Sequence, residues 1–209
     1  LRMHRPVPRE IVLRTDRPWE GNACGYINVF RDNGKIRMYY KTCNFEIIAA
    51  DNQGEEADGL RWTHPYYVAY AESLDGIHFE RPNMGMIKYQ DFSGVPVRDP
   101  LANNIILESN PEISFRPAGF SVFRDTNPDA PENERYKALA SNATANPETS
   151  LLFALTSPDG IHWTVNPEPI VKRLRFDSQN LAFWDSVHGC YRAYMRSWRD
   201  VWRRYISTS

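Results

Sequence analysis

The chain alternates apolar and polar positions in short runs separated by turn residues. Tyr26-Ile-Asn-Val-Phe30 and Ile36-Arg-Met-Tyr-Tyr40 flank Asp32-Asn-Gly34. Asn-Gly between two such runs is a strong hairpin signal, because the favoured tight turn needs positive φ at its centre. Tyr66 to Ala71 predicts a third strand and Ile77 to Glu80 a fourth, with the acidic, glycine-containing stretch from Phe45 to Arg61 as a loop. A second group of strands is expected at Gly119 to Phe123, Arg135 to Ala140, Ser150 to Thr156 and Ile161 to Thr164. A third is expected at Asn180 to Trp184, Cys190 to Met195 and Arg203 to Ser207, with a turn over Asp185 to Gly189. Arg81 to Pro117 is broken by proline and glycine and reads as irregular. No stretch sustains a 3.6-residue apolar period, so almost no helix is expected.

Two ten-residue stretches nearly repeat each other. Tyr70-Ala-Glu-Ser-Leu-Asp-Gly-Ile-His-Phe79 matches Ala154-Leu-Thr-Ser-Pro-Asp-Gly-Ile-His-Trp163, and Arg204 to Ser209 resembles the lead-in to a third copy. A repeat at this spacing implies a repeated structural unit. In each copy the Asp side chain can accept from amides just ahead of it, while Gly takes the positive φ. Asp75 and Asp159 are therefore expected to brace turns, and His78 and His162 to be packing or edge residues. Three successive antiparallel meanders predict an all-β fold, a β-propeller. The blades fall at about 21–80, 115–165 and 176–209 of a single domain, 1–209. Three blades cannot close a ring, so a fragment, or a chain with partners for its edges, is expected, and exposed edges favour association.

Composition narrows the function. Among 209 residues, 25 Lys and Arg face 26 Asp and Glu, for a net charge of −1. The clustered cations of a nucleic-acid footprint are missing. The longest apolar runs, such as Leu151 to Leu155, are far too short to span a bilayer. Cys24, Cys43 and Cys190 are widely spaced without a CxxC pair and read as packing residues rather than a disulfide framework or zinc site. His4, His64 and His188 have no metal-ligand spacing. No phosphate-cradling glycine loop or Ser-His-Asp context is present. No cofactor is expected, and a channel-bound calcium is not indicated.

Several motifs, spread in one order over nearly the whole chain, carry a resemblance. They are Asp16-Arg-Pro-Trp-Glu-Gly-Asn22, Arg37-Met-Tyr-Tyr40, Tyr70 to His78, Asn103-Asn-Ile105, Asn127-Pro-Asp-Ala-Pro131 with Glu134-Arg-Tyr-Lys137, and Phe176-Asp-Ser-Gln-Asn180 with Phe183-Trp-Asp185. The chain resembles the bacterial glycoside-hydrolase-like five-bladed propellers related to glycoside hydrolase families 43 and 32. The resemblance implies that blades one to three are present and two more lie beyond Ser209. It also implies a carbohydrate substrate bound at one mouth of a central channel, and a secreted or periplasmic location.

In such enzymes the acidic residues open the innermost strand of successive blades, and two carboxylates supply a general acid with a base or nucleophile. Ahead of the three blades here stand Trp19, Glu20 and Asn22, then Phe115 and Arg116, then Asp177, Gln179 and Asn180. The resemblance thus points to Glu20 and Asp177 as the catalytic pair, with Glu20 as base or nucleophile and Asp177 as acid. Trp19, Asn22, Arg116, Gln179 and Asn180 become substrate-binding candidates, with Trp19 stacking on a sugar ring. The second position departs from the Asp, Asp, Glu set of family 43, because it is held by Arg116. Arg98-Asp-Pro100 matches a family 32 motif but lies in the irregular segment and reads as a loop. Asp125 follows its strand and is expected at the opposite rim. Three functions fit these residues. One is a glycosidase. Another is a non-catalytic glycan-binding propeller that keeps Trp19, Arg116 and Asn180. The third is a sialidase-like enzyme, whose Asp-box resembles Ser157 to Trp163 but is one residue longer.

Overall fold

A computed structural model describes residues 3–48, 60–89, 97–142, 144, 146–174, 176, 178–199 and 203–208. Twelve strands form three antiparallel sheets, and helix among the described residues is confined to single 3-10 turns such as Pro18–Glu20. The first sheet holds β1 (Gly25–Asp32), β2 (Lys35–Ile47), β3 (Leu60–Ser73) and β4 (Ile105–Glu108), in that order. The second holds β5 (Ala118–Arg124), β6 (Tyr136–Ser141), β7 (Leu151–Ser157) and the short β8 (Thr164–Val165), with β9 (Val171–Lys172) also on β7. The third holds β10 (Leu181–Asp185), β11 (Cys190–Arg199) and β12 (Arg203–Thr208).

The first strands of successive sheets touch, β1 on β5 and β5 on β10. Three sheets packed face to face about neighbouring first strands make a partial, propeller-like arc, as the repeat predicted. Between sheets one and two, Tyr39 and Phe30 meet Phe120, Phe153, Leu155 and Trp163. Between sheets two and three, Leu139 and Leu152 meet Phe176 and Met195. Each sheet buries apolar side chains on alternate positions against its neighbour, which is the burial that fixes strand register.

The predicted turns hold. Asp75 Oδ1 accepts from the backbone N–H of Ile77 and His78 at 2.8 and 2.9 Å. Asp159 Oδ1 does the same with Ile161 and His162, both at 2.8 Å. Gly76 and Gly160 both have positive φ. A third brace of this kind was not expected. Asp185 Oδ1 accepts from Val187 and His188, although no glycine follows that Asp. The common element is Asp-x-x-His, since His78, His162 and His188 each bring Nδ1 to the brace carboxylate at 2.7, 2.7 and 2.8 Å.

The fourth strands of the first two sheets are misplaced by the sequence. Ile161 to Thr164 meets β8 only at Thr164. Ile77 to Glu80 does not run as the fourth strand of the first sheet, and only Glu80 bridges back to Glu72. β4 takes that place from the stretch read as irregular. Asn104 seats it, accepting from Tyr70 N through its carbonyl and donating Nδ2 to Tyr70 O. Part of the predicted 45–61 loop extends β2 and β3, and its centre lies outside the described residues.

Candidate functional site

Register sorts the candidate residues between the two ends of the arc. Ala118 pairs with Ser141 and Gly25 with Lys41, so the starts of β1 and β5 share one end with the far halves of β2 and β6. Glu20, Asn22, Arg116 and Gln179 belong to this strand-start end. Asp32, Asp125 and Asp185 close the first strands at the other end, beside the Asp75 and Asp159 turns. Asp125 thus lies at the rim predicted for it.

Glu20 is the best defined acid at the strand-start end, and it is committed to the fold. It is 0% exposed. Its Oε1 accepts from Tyr40 Oη at 2.7 Å and Arg81 Nε at 2.8 Å. Its Oε2 accepts from Arg17 N at 2.9 Å and from the same guanidinium at 3.2 Å. Four charge-assisted or hydroxyl bonds leave a carboxylate no lone pair for a substrate proton. Burial disfavours the Tyr40 phenolate and the Glu20 contact raises its pKa further, so Tyr40 stays a donor. Gly21 makes the approach feasible. It has φ +64, and a Cβ there would lie 2.3 Å from Cys43 O. The structure thus holds Glu20 as a buried anchor of this end.

Other expected binding groups are also used internally. Trp19 is half-buried, donates Nε1 to Asn104 Oδ1 at 2.6 Å and packs edge-on to Tyr89. Asn22 is exposed, but its side chain donates to Phe45 O and accepts from Phe45 N, pinning the end of β2. Gln179 Nε2 donates to Asn28 Oδ1 and Phe120 O, tying the lead-in to the third sheet to the first strands of the other two. Asn180 is buried and donates to Ser178 O. These four side chains are all hydrogen-bonded within the fold. Asp177 lies outside the described residues.

Arg116 lines a hollow of about 740 Å³ between sheets one and two at the strand-start end. The walls include Trp62, Tyr66 and His64 of β3, Glu108 at the end of β4, and Phe115. Trp62 is 43% exposed and stands between two other rings, 5.5 Å from Phe45 and 5.3 Å from Tyr66. Lys41 Nζ lies 4.9 Å from the Tyr66 ring centre. The hollow thus offers an aromatic wall, an exposed carboxylate in Glu108 and a guanidinium in Arg116. The sequence reading missed Trp62, Tyr66 and Glu108. The alternating aromatic positions around His64 were the available signal. Among the described residues no cluster of His, Cys, Asp or Glu could hold a metal ion.

No family model matches the sequence, and no curated protein matches it. Solved structures do. A Bacteroides ovatus protein assigned to the glycoside hydrolases aligns over 85% of this chain with a TM-score of 0.49 and 18% identity. A fructofuranosidase variant from Schwanniomyces occidentalis, in complex with fructosylnystose, aligns over 90% with a TM-score of 0.47 and 15% identity. A second Bacteroides ovatus glycosyl hydrolase aligns over 86% with a TM-score of 0.34 and 16% identity. The chain spans 45%, 34% and 62% of those three proteins. Likeness of this degree places no substrate or catalytic residue in this chain.

Proposed function

We propose that this chain belongs to a glycoside-hydrolase-like propeller and holds a carbohydrate in the hollow between its first two sheets. The observation that carries the reading is the make-up of that hollow. An exposed Trp62 backed by Tyr66 and Phe45 suits the apolar face of a sugar ring, while Glu108 and Arg116 suit its hydroxyls. Arg116 was expected at the mouth from the sequence motifs, and it is the residue common to both lines of argument.

Hydrolysis needs two carboxylates. With Glu20 committed to Arg81 and Tyr40, the pair put forward for the reaction is Asp177, from its place ahead of β10, and Glu108 in the hollow. The burial of Glu20 favours a second reading, a propeller that binds glycans without cleaving them. One set of variants separates the two. Trp62→Ala and Arg116→Ala are expected to weaken glycan binding about tenfold or more on a glycan panel. Asp177→Asn is expected to lower turnover by about 10²–10⁴-fold with binding kept. Unchanged binding by the Trp62 and Arg116 variants would remove the hollow as the site. A parent protein that binds but cleaves nothing would establish the binding module.

A further inference from the structure

Four half-buried cations of this chain are neutralised by carboxylates. Arg37, Arg81, Lys137 and Arg192 each lie 2.8 Å or less from an oxygen of Asp32, Glu20, Asp125 and Asp185 respectively. Lys41 is half-buried too, yet among the described residues no carboxylate pairs with it. Its Nζ lies between two rings instead, 5.1 Å from the centre of Tyr26 and 4.9 Å from that of Tyr66. The nearby Cys43 thiol brings no counter-charge, because burial raises its pKa. Ring faces hold an ammonium in place without neutralising it, and its N–H groups can still donate to an anion.

The backbone at Tyr26 is arranged for this contact. β1 is bulged between Gly25 and Asn28, and β5 is bulged at the matching place, between Ala118 and Ser121. The second residue of each strand has positive φ, +62 at Gly119 and +50 at Tyr26. In β5 glycine is required, since a Cβ there would lie 2.7 Å from Ser178 O. In β1 an aromatic residue holds a conformation that bulky side chains avoid. A bulge re-aims a side chain, and this one sets the Tyr26 ring against Lys41. Backbone strain of this kind clusters at ligand clamps.

Tyr66 joins the clamp to the hollow, because it is one of the hollow's walls and stands 5.3 Å from Trp62. Tyr26, Lys41, Tyr66 and Trp62 thus make one continuous track. We infer that Lys41 is a specificity residue of this site, donating to the carboxylate or sulfate of an acidic sugar whose neighbour in the same glycan stacks on Trp62. The inference rests on the carbohydrate reading of the hollow. Arg116 lines the same hollow, and its positive charge adds to that of Lys41. Glu108 stands on β4 and Lys41 on β2, with β3 between them, so the acid is set apart from the anion's place. A neutral sugar laid over Lys41 would strip water from the ammonium and return no counter-charge, which selects against it.

Matched oligosaccharides titrated calorimetrically test this. The probes are trisaccharides of galacturonate, glucuronate and mannuronate beside their carboxyl-reduced forms, and sulfated galactan and fucan trisaccharides beside their desulfated forms. At least one acidic member is expected to bind about tenfold or more tighter than its neutral counterpart, and the pair that does so separates uronate from sulfate. Lys41→Gln is expected to bring the two members of that pair level. Lys41→Arg is expected to keep the margin, which separates lost charge from lost packing. Trp62→Ala is expected to weaken both members alike. Equal binding within every pair overturns the inference and leaves the hollow as a neutral-sugar site. A margin that survives in Lys41→Gln overturns it as well. Binding of no member by the parent protein overturns the carbohydrate reading along with it.

Discussion

At Glu20 the chemistry of a site and the chemistry of a fold compete for one side chain, and burial decides. A carboxylate with no exposed surface, paired to Arg81 and Tyr40, is expensive to disturb, because removing one partner leaves the other charge uncompensated. Glu20→Gln is expected to lower unfolding free energy by about 3–5 kcal/mol, measured by urea titration. A variant with parental stability and abolished turnover would restore Glu20 as a catalytic group. The same reasoning, with another sign to work out, applies to Asp159. Burial opposes its charge, but the His162 backbone and side chain, then Ile161 and Ser157, outweigh it and bring the pKa down to about 2. A depressed carboxylate contributes stability that is present above its unfolded pKa of about 3.9 and lost as pH falls through the folded value. Acid unfolding between about pH 4 and 2 is therefore expected to be less steep in Asp159→Asn than in the parent. Equal slopes would count against the brace. The Asp-Gly motif was legible because its side-chain chemistry is local. Glu20's partner Arg81 lies 61 residues away, so its burial was not legible.

At the scale of elements, short-range patterning was enough for most strands, and it failed where a strand is held by contacts far along the chain. β1, β2, β5, β6, β7, β10 and β11 all fall where alternation placed them. β4 is only four residues long and sits among prolines and glycines, so its apolar Ile105-Ile-Leu107 carried too little periodic signal. Its seat is the Asn104 exchange with Tyr70, a pairing visible only in three dimensions. The two Asp-Gly turns look interchangeable in sequence and are not so in place. A Cβ on Gly76 would meet only the flexible Ile36 Cδ1, at 2.9 Å. A Cβ on Gly160 would meet Tyr39 Oη at 2.7 Å and Arg37 Nη1 at 2.9 Å, because the second turn packs against the first sheet. Both have positive φ, so alanine strains both. Gly76→Ala is expected to cost about 1 kcal/mol and Gly160→Ala about 1–3 kcal/mol more, compared by thermal unfolding. Equal costs would show that the second turn does not bear on the interface.

At the scale of the whole molecule, the arc has a division of labour between its ends. The strand-start end opens the hollow with Trp62 and Arg116, while the opposite end locks sheet to sheet through Tyr136 on Asp32 and Tyr191 on Asp125. The propeller class was legible from the repeat, but the locks were not, since each joins residues 66 or more positions apart. The two locks differ in burial. Asp32 is buried, its pair with Tyr136 is buried, and Arg37 adds a 2.6 Å bond to Asp159 O. Tyr191 is partly exposed. Asp32 and Asp125 are both buried, so losing either hydroxyl costs about 1–3 kcal/mol, but water reaches the vacated place more readily beside the exposed Tyr191 than beside the buried Tyr136. Tyr136→Phe is therefore expected to destabilise more than Tyr191→Phe. The locks serve separate interfaces, so the double variant is expected to lose the sum to within about 0.5 kcal/mol. Urea unfolding followed by both tryptophan fluorescence and far-ultraviolet circular dichroism reads this directly. Coincident transitions mean that the three sheets unfold as one unit. A Tyr191→Phe variant whose two probes separate would instead show the third sheet melting alone, and the second interface would then be the weak joint of the arc.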